Sequence, residues 1–403
     1  MKILHTSDWH RGRRIENIPL AREFDLFVRW LAETVEQEQV DVLIVAGDIF
    51  DTGMPSIAAQ EQYYNAISLL AGTRLKKIII INGNHDSANF LLAPKIILRG
   101  LKTVISAGLP QNLEDIIIPL PGDDPEAVVV AVPFLRDIDI INFFKDRAEE
   151  VDTQKNIAAF YHHLASLAEK YKAQGLPLIA TGHLFVSDST TDSAERDDYT
   201  LGGLIDVRSD QLPDTFDYYA LGHVHRPWSQ QNKKVHYCGN PFPMSLNDVK
   251  NRVAKGVNII DTQDITNTKR INTPLWRHIV VFEGSMDQVE QKITDFSNQG
   301  LLAPAYAYVR VTDYPGDVPV EKLHEHLSSL NTDNLHIIKA IFPPKYSPSQ
   351  TNKQDFSALK EYSPRQILQY HLDTKGYSQQ TKQQILETFD RLLSIYRQNS
   401  GAD

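Results

Sequence analysis

The sequence predicts an α/β protein, and three observations carry that reading. Short apolar runs alternate with stretches of helical periodicity from the first residues onward. The runs are apolar at successive positions rather than alternate ones, so both faces of each strand are buried. Residue types that bind metal ions cluster just past the ends of these runs, where α/β sheets gather their ligands.

Lys2 to His5 is the first buried strand, and the loop Thr6 to Arg14 that follows it carries Asp8, His10, Arg11, Arg13 and Arg14. Phe24, Phe27, Val28, Leu31 and Val35 recur at helical spacing, which places an amphipathic helix over Ala21 to Gln37. Val42 to Ala46 is a second buried strand ending in Gly47-Asp48. Pro55, Ala58, Tyr63, Ile67 and Leu70 mark a helix started by proline. Lys77 to Ile81 is a third strand and runs into Asn82-Gly83-Asn84-His85-Asp86. Strand, helix, strand, helix, strand in this order predicts parallel pairing with right-handed crossovers.

Val128 to Val132 and Pro177 to Thr181 are further apolar runs, separated by a polar-faced helix over Asp152 to Lys172. Gly182-His183 ends the second of them. Tyr218 to Leu221 leads into Gly222-His223-Val224-His225, Cys238 to Pro241 reads as a turn, and Gly256 to Ile260 as a closing strand. Val186 to Leu204, rich in Ser, Asp and Thr, reads as a surface loop beside His183. Glycine stands before the ligand in four stretches, where it permits a sharp exit from the strand and a close approach of backbone to the cluster.

After Trp276 the character changes. Ile279 to Phe282, Met286 to Phe296, Ala305 to Val311, Val320 to Leu330 and His336 to Phe342 alternate strand and helix without ligand types at the strand ends. The reading is therefore a first domain over 1–275, a small α/β accessory domain over 276–342, a Pro-rich linker over 343–356 and a helical region over 357–403. In the last, Ser363-Pro364 starts one helix and Ser378 a second, with Ile385, Leu386, Phe389, Leu392, Leu393 and Tyr396 on one face. So small a unit cannot bury both apolar faces alone, and it docks on this protein's own body or on a partner's helix.

Composition narrows the function. Of 403 residues, 41 are Lys or Arg and 51 Asp or Glu, a formal charge of −10, which argues against coating nucleic acid by bulk electrostatics. It does not exclude a nuclease, because divalent ions at Asp8 and Asp48 would make the site itself attractive to a phosphodiester. The single cysteine, Cys238, excludes an internal disulfide and a thiolate-rich zinc site, and reads as a small buried side chain. No run approaches the roughly 18 apolar residues of a spanning helix, so a cytoplasmic protein is expected.

A lone Asp-x-His is more often a turn than a ligand pair. Here five stretches occur in one chain: Asp8 with His10, Asp48, Asn84 with His85, His183, and His223 with His225. Carboxylate, amide and imidazole groups brought together from several segments are the donor set of a two-metal phosphoesterase. His5 stands before the first stretch and reads as a hydrogen-bonded core histidine.

The order of these motifs resembles that of the calcineurin-type metallophosphoesterase superfamily and, more closely, of the nuclease subunits of bacterial SbcCD complexes. His5-Thr-Ser-Asp-Trp-His10, Gly47-Asp-Ile-Phe-Asp-Thr-Gly53, Gly83-Asn-His-Asp-Ser87, Ala180-Thr-Gly-His183 and Ala220-Leu-Gly-His-Val-His225 carry the likeness. It implies a metallophosphoesterase β-sandwich flanked by helices, with a capping domain and a C-terminal helix pair. It implies one ion held by Asp8, His10, Asp48 and His225, and another held by Asp48, Asn84, His183 and His223. The absence of thiolate favours manganese, magnesium or iron over structural zinc, and the resemblance selects two Mn2+. His85 would stabilise the phosphate or protonate the leaving oxygen, with Asp86 orienting its ring.

The resemblance further implies a nucleoid-associated DNA nuclease of repair and recombination, acting as a 3′ to 5′ exonuclease on double-stranded ends and as an endonuclease on hairpins and blocked ends. Its partners would be DNA, a second copy of the chain, and an SbcC-type coiled-coil ATPase docked on Ile367, Leu372, Phe389, Leu392 and Tyr396. The helices at Ala58 to Leu70 and Ala88 to Arg99 would form the dimer. Arg11, Arg13 and Arg14 could hold backbone phosphates or simply be a solvated loop. Two other functions use the same residues: hydrolysis of a small phosphodiester such as a cyclic nucleotide, and a bridging subunit that does not cut. The accessory domain and the terminal helices favour the nuclease over a small-molecule enzyme, and the complete ligand set argues against a bridging subunit.

Overall fold

The computed structural model describes residues 1–122, 124–145, 153–186, 206–230, 234–250, 254–297, 303–313 and 318–343, and beyond them 368, 372, 381–386 and 388–389. Residues 1–343 group as one compact unit and 344–403 as another.

Two six-stranded sheets face each other. The first contains β1 (Lys2–Thr6), β2 (Val42–Ala46), β3 (Lys77–Ile81) and β4 (Thr103–Ser106). The second contains β5 (Ile117–Leu120), β6 (Ala127–Val130), β7 (Leu178–His183), β8 (Tyr218–Gly222), β9 (Trp228–Ser229) and β10 (Val235–Tyr237). The chain then returns to the first sheet with β11 (Gly256–Asp261) and β12 (Asp264–Asn272), giving the order β12-β11-β1-β2-β3-β4; the second sheet runs β9-β10-β8-β7-β6-β5. Strands β1 to β4 pair in parallel, with Ile3 opposite Val42 and Ile44 opposite Ile79, as the alternation of strand and helix predicts. Strand β11 lies antiparallel beside β1, with Leu4 opposite Ile259.

The unbroken apolar runs are explained by this double layer. Ile3, Val42, Ile44, Ile79 and Ile81 point inward and meet Ile118, Val129, Ile179, Tyr218 and Ala220 of the opposite sheet. Their neighbours Leu4, Leu43, Val45, Ile78 and Ile80 point outward and pack under α1 (Ala21–Gln37) and α2 (Ile57–Ala71). The outer face of the second sheet is covered in the same way by α5 (Asp137–Phe144) and α6 (Thr153–Lys172), with α3 (Ala88–Leu92) and α4 (Lys95–Gly100) lying between α2 and β4 in the chain. The helix expected over Ala88 to Arg99 is thus two short ones, because Pro94 has no amide hydrogen to continue the first.

The accessory module is a parallel three-stranded sheet of β13 (Ile279–Gly284), β14 (Ala305–Val311) and β15 (Leu335–Ile341), crossed by α7 (Met286–Ser297) and α8 (Val320–Ser329). Alternation along β14 divides its contacts. Ala305, Ala307 and Val309 join the core with Val289, Ile293 and Leu327, while Tyr306 and Tyr308 face the main body. A buried ion pair ties the two: Arg277 donates from Nε to Glu23 of α1 and from a second nitrogen to the Pro304 carbonyl, and its guanidinium stacks 4.1 Å from the Tyr306 ring. Trp276 adds edge contacts to Trp30 and Phe242.

In the second unit, Leu372 and Leu386 are buried, and Phe389 is helical and half-buried. Ile367, Leu392 and Tyr396 lie outside the described residues, as does the loop from 187 to 204.

Arg277→Met would leave the Glu23 carboxylate buried without its partner, and we expect a loss of about 3–5 kcal/mol in urea unfolding. The double substitution Arg277→Met with Glu23→Gln should recover most of that loss. Equal destabilisation of the single and double variants would contradict this account.

Candidate metal centre

All five ligand stretches open at one end of the sandwich. Asp8 and His10 follow β1, Asp48 follows β2 and Asn84 follows β3, while His183 closes β7 and His223 and His225 follow β8. Three of these strands belong to one sheet and two to the other, so neither sheet builds the site alone.

The backbone is forced into place by its own hydrogen bonds. Asp8 N donates to the Gly47 carbonyl (3.0 Å), His10 N to that of Asp48 (2.9 Å) and Arg11 N to that of Ile49 (2.8 Å), so the first two loops run side by side. Asp8, His10, Asp48 and His223 all have φ between 42° and 96°, a left-handed conformation that is strained for any residue but glycine. Their neighbours must be small: a Cβ on Gly83 would strike the carboxylate and amide of Asp48, and one on Gly222 the Ala46 carbonyl. That is the physical content of glycine before the ligand at these two positions.

Asp48 is the hub. Its Oδ1 accepts from His85 N (3.0 Å), and its Oδ2 lies 3.4 Å from His10 Nε2 and 3.3 Å from His183 Nε2. His183 donates from Nδ1 to the Ala46 carbonyl (2.9 Å), which turns Nε2 toward Asp48 and toward Asn84 Oδ1 at 3.0 Å. His10 Nε2 and His225 Nε2 are 3.0 Å apart. Asp8, His10 and His225 form one group whose donor atoms lie within 4.8 Å of one another; Asp8, Asp48 and His183 form another. Asp8 Oδ1 accepts from the His223 amide (2.9 Å), and the His223 ring lies 5.3 Å from that of His183. Electron-pair donors at such distances repel unless a proton or a cation lies among them, and this donor set suits a divalent ion.

The electrostatics agree. Burial raises the Asp8 pKa, helped by the charge of Asp48. Burial would raise that of Asp48 too, but His183 and His10 hold it well below the usual carboxylate range. Burial works against a charged His183, yet Asp48 and Asp8 push its pKa up to about 9. His225 goes the other way, far down, through burial and the neighbouring His10.

His85 is oriented differently from expectation. Its Nδ1 donates to the Asp51 carbonyl (2.9 Å), whereas Asp86 accepts from the amides of Ile49 (3.0 Å), Phe50 (2.8 Å) and Gly83 (2.8 Å). The role predicted for Asp86 is therefore corrected: it ties the second and third loops together, because both carboxylate oxygens are engaged by backbone. Asp51, which sequence reasoning passed over, also faces His10 Nδ1 (3.4 Å) and accepts from Arg13 (2.9 Å). The signal for it was the second aspartate in Gly47-Asp-Ile-Phe-Asp.

Of the three arginines, Arg11 is 3% exposed and its guanidinium lies 4.4 Å from the Phe24 ring, so the expectation of a phosphate contact fails there. Arg13 is partly exposed and paired with Asp51, and Arg14 is exposed on the loop. His5 is a core histidine, bonded to Tyr218 Oη and the Leu221 carbonyl (both 3.1 Å). Cys238 is buried and unbridged, and burial pushes its thiol up to about 12.

The fold and the site define a class. The calcineurin-like phosphoesterase family profile matches residues 1–227, and the chain belongs to that family, whose members use divalent metal ions. Within it the chain is similar to SbcD, a component of the SbcCD nuclease, from Escherichia coli K12, with 29% identity over 403 residues and 98% of each chain covered. It is also similar to SbcD of Rhodobacter capsulatus, 36% identical over 260 residues, covering 62% of this chain and 64% of that one. SbcD of Bacillus subtilis is 29% identical over 271 residues, or 65% and 66%. No helix among the described residues is long and apolar enough to cross a membrane.

Ion binding must displace the proton that His183 carries below about pH 9 in the ion-free protein. Affinity should therefore rise about tenfold per pH unit for each proton released, and be at least about 100-fold weaker at pH 6 than at pH 8. Calorimetric titration with Mn2+ at the two values checks this; equal affinities would refute it.

Proposed function

We propose that this chain is the nuclease subunit of an SbcCD-type complex and hydrolyses DNA phosphodiesters with two divalent ions, Mn2+ by preference. The observation that carries the reading is the Asp48 Oδ2 atom, which faces His10 on one side and His183 on the other. A single carboxylate between two sets of imidazoles is what a bridged pair requires. Asp8, His10, Asp48 and His225 would hold one ion, and Asp48, Asn84, His183 and His223 the other. When bound, the pair supplies Lewis-acid polarisation of the phosphodiester and activation of a water.

The chain's own residues do the rest. His85 gives its Nδ1 hydrogen to Asp51, which leaves Nε2 to exchange a proton with the phosphate or the departing 3′ oxygen. Arg13 and Arg14, three and four residues past His10, suit backbone phosphates. The substrates proposed are double-stranded ends, cut 3′ to 5′, and hairpin or blocked ends, cut internally. The similarity to SbcD over nearly the whole chain supports this choice over a small phosphodiester.

The partners follow from the same reading. Met54, Ile57, Ile96 and Ile97, around α2 and α4, are 74–92% exposed apolar side chains fit for contact with a second copy of the chain. The C-terminal region over 357–403, with Phe389 half-buried, would receive a coiled-coil ATPase of the SbcC type; Leu372 is buried, so the expectation that it forms part of that surface is corrected.

With Mn2+, the wild type should cleave an end-labelled duplex and a DNA hairpin. His85→Ala should be about 10²- to 10⁴-fold slower with its ions retained, and Asp48→Ala should lose both ions and cleavage. Hydrolysis of a generic phosphodiester without DNA cleavage would move the assignment to a small-molecule enzyme, and full activity in His85→Ala would remove its proposed role.

A further inference from the structure

The last ligand stretch is held from behind by a segment whose sequence reads only as a turn and a strand. The His225 carbonyl accepts from the Asn240 amide (3.2 Å) and from the Lys255 ammonium (2.8 Å). Lys255 is only 8% exposed, and its ammonium donates as well to the side-chain oxygen of Asn240 and to Asp248 Oδ1. Three donors thus meet three acceptors. The other oxygen of Asp248 accepts from Met244 N (3.0 Å), Ser245 Oγ (2.9 Å) and Asn240 Nδ2 (3.3 Å), so the balancing charge is itself fixed. Gly239 packs so closely that a Cβ there would come within 2.7 Å of the same His225 carbonyl.

A buried lysine is an expensive way to hold an ordinary loop, since both members of the pair must be taken out of water. The loop it holds is not ordinary. The His225 ring sets its Nε2 3.0 Å from that of His10, and a ring that shares an ion is held in orientation by what lies behind it. We propose that Lys255 is a positioning residue for the metal centre, fixing, with Asn240 and Asp248, the main chain of His225 and thereby its ring beside His10. The inference rests on the two-ion reading above, and it places a support of the site outside residues 1–227, the span matched by the family profile.

The full chain, wild type, K255M and K255M/D248N, is titrated with Mn2+ alone. Bound ions are counted from the electron paramagnetic resonance of the unbound metal, the coupled pair is read from its low-temperature signal, and thermal midpoints are recorded. In the double variant neither buried charge is left unpaired, and its midpoint should stay within about 5 °C of wild type. The ion beside His10 and His225 should nonetheless bind about 10- to 100-fold more weakly in both variants, with the coupled signal lost. Two ions bound with wild-type affinity in either variant would overturn the proposal. Failure of both variants to fold would assign Lys255 to the fold alone and overturn it too. If the wild type itself bound no coupled pair, the two-ion reading would fall, and this proposal with it.

Discussion

The constraint on which the site depends is the burial of one carboxylate. Asp48 is 1% exposed, among histidines and beside the equally buried Asp8. Two carboxylates removed from water at such close range are unfavourable unless positive charge is brought to them. The displaced pKa values of His183 and Asp48 are the record of that demand. The same demand explains why imidazoles stand beside the carboxylates: His10 and His183, whose pKa values are raised, can carry a proton or yield an electron pair to a cation.

Holding such a cluster requires stiffness from outside it, and the sandwich provides it. Ligands from β1, β2 and β3 are brought against those from β7 and β8 by the inner layer of Ile44, Ile79, Ile179 and Tyr218. The hydrogen bond from His183 to the Ala46 carbonyl spans the two sheets at this point. The strained backbone at Asp8, His10, Asp48 and His223 is thus sustained by packing that has no part in the chemistry.

Much of this was legible in the sequence, and the remainder was not for identifiable reasons. Strands buried on both faces announce themselves as Val42 to Ala46 or Lys77 to Ile81 do, and their ends located the ligands. The division into two sheets was not readable from the runs themselves, because an inner and an outer face are equally apolar; it came only with the family likeness. Thr103–Ser106 and Val235–Tyr237 are too short to stand out, yet each completes a sheet. Asp86 was misjudged, and Asp51 passed over, because adjacency in sequence suggested a contact to His85 that the loop geometry gives to the Asp51 carbonyl instead. Lys255 and Asp248 lie far from every motif, and only folding brings them under His225.

Arg11 shows how a single turn can serve two parts of the molecule. Its guanidinium leaves the ion-site loop and lies on Phe24, in the first turn of α1, where Glu23 and Asp25 are close enough to favour its charge. Glu23, the residue just before Phe24 in that turn, is bound to Arg277 at the root of the accessory module. Adjacent residues of one helix therefore fasten the loop that carries Asp8 and His10 and the sheet that begins at Ile279. A shift of the accessory module relative to α1 would have to break a buried ion pair whose loss leaves a carboxylate without water or partner. The module's position against α1 is consequently a property of the folded chain itself, set before any substrate arrives.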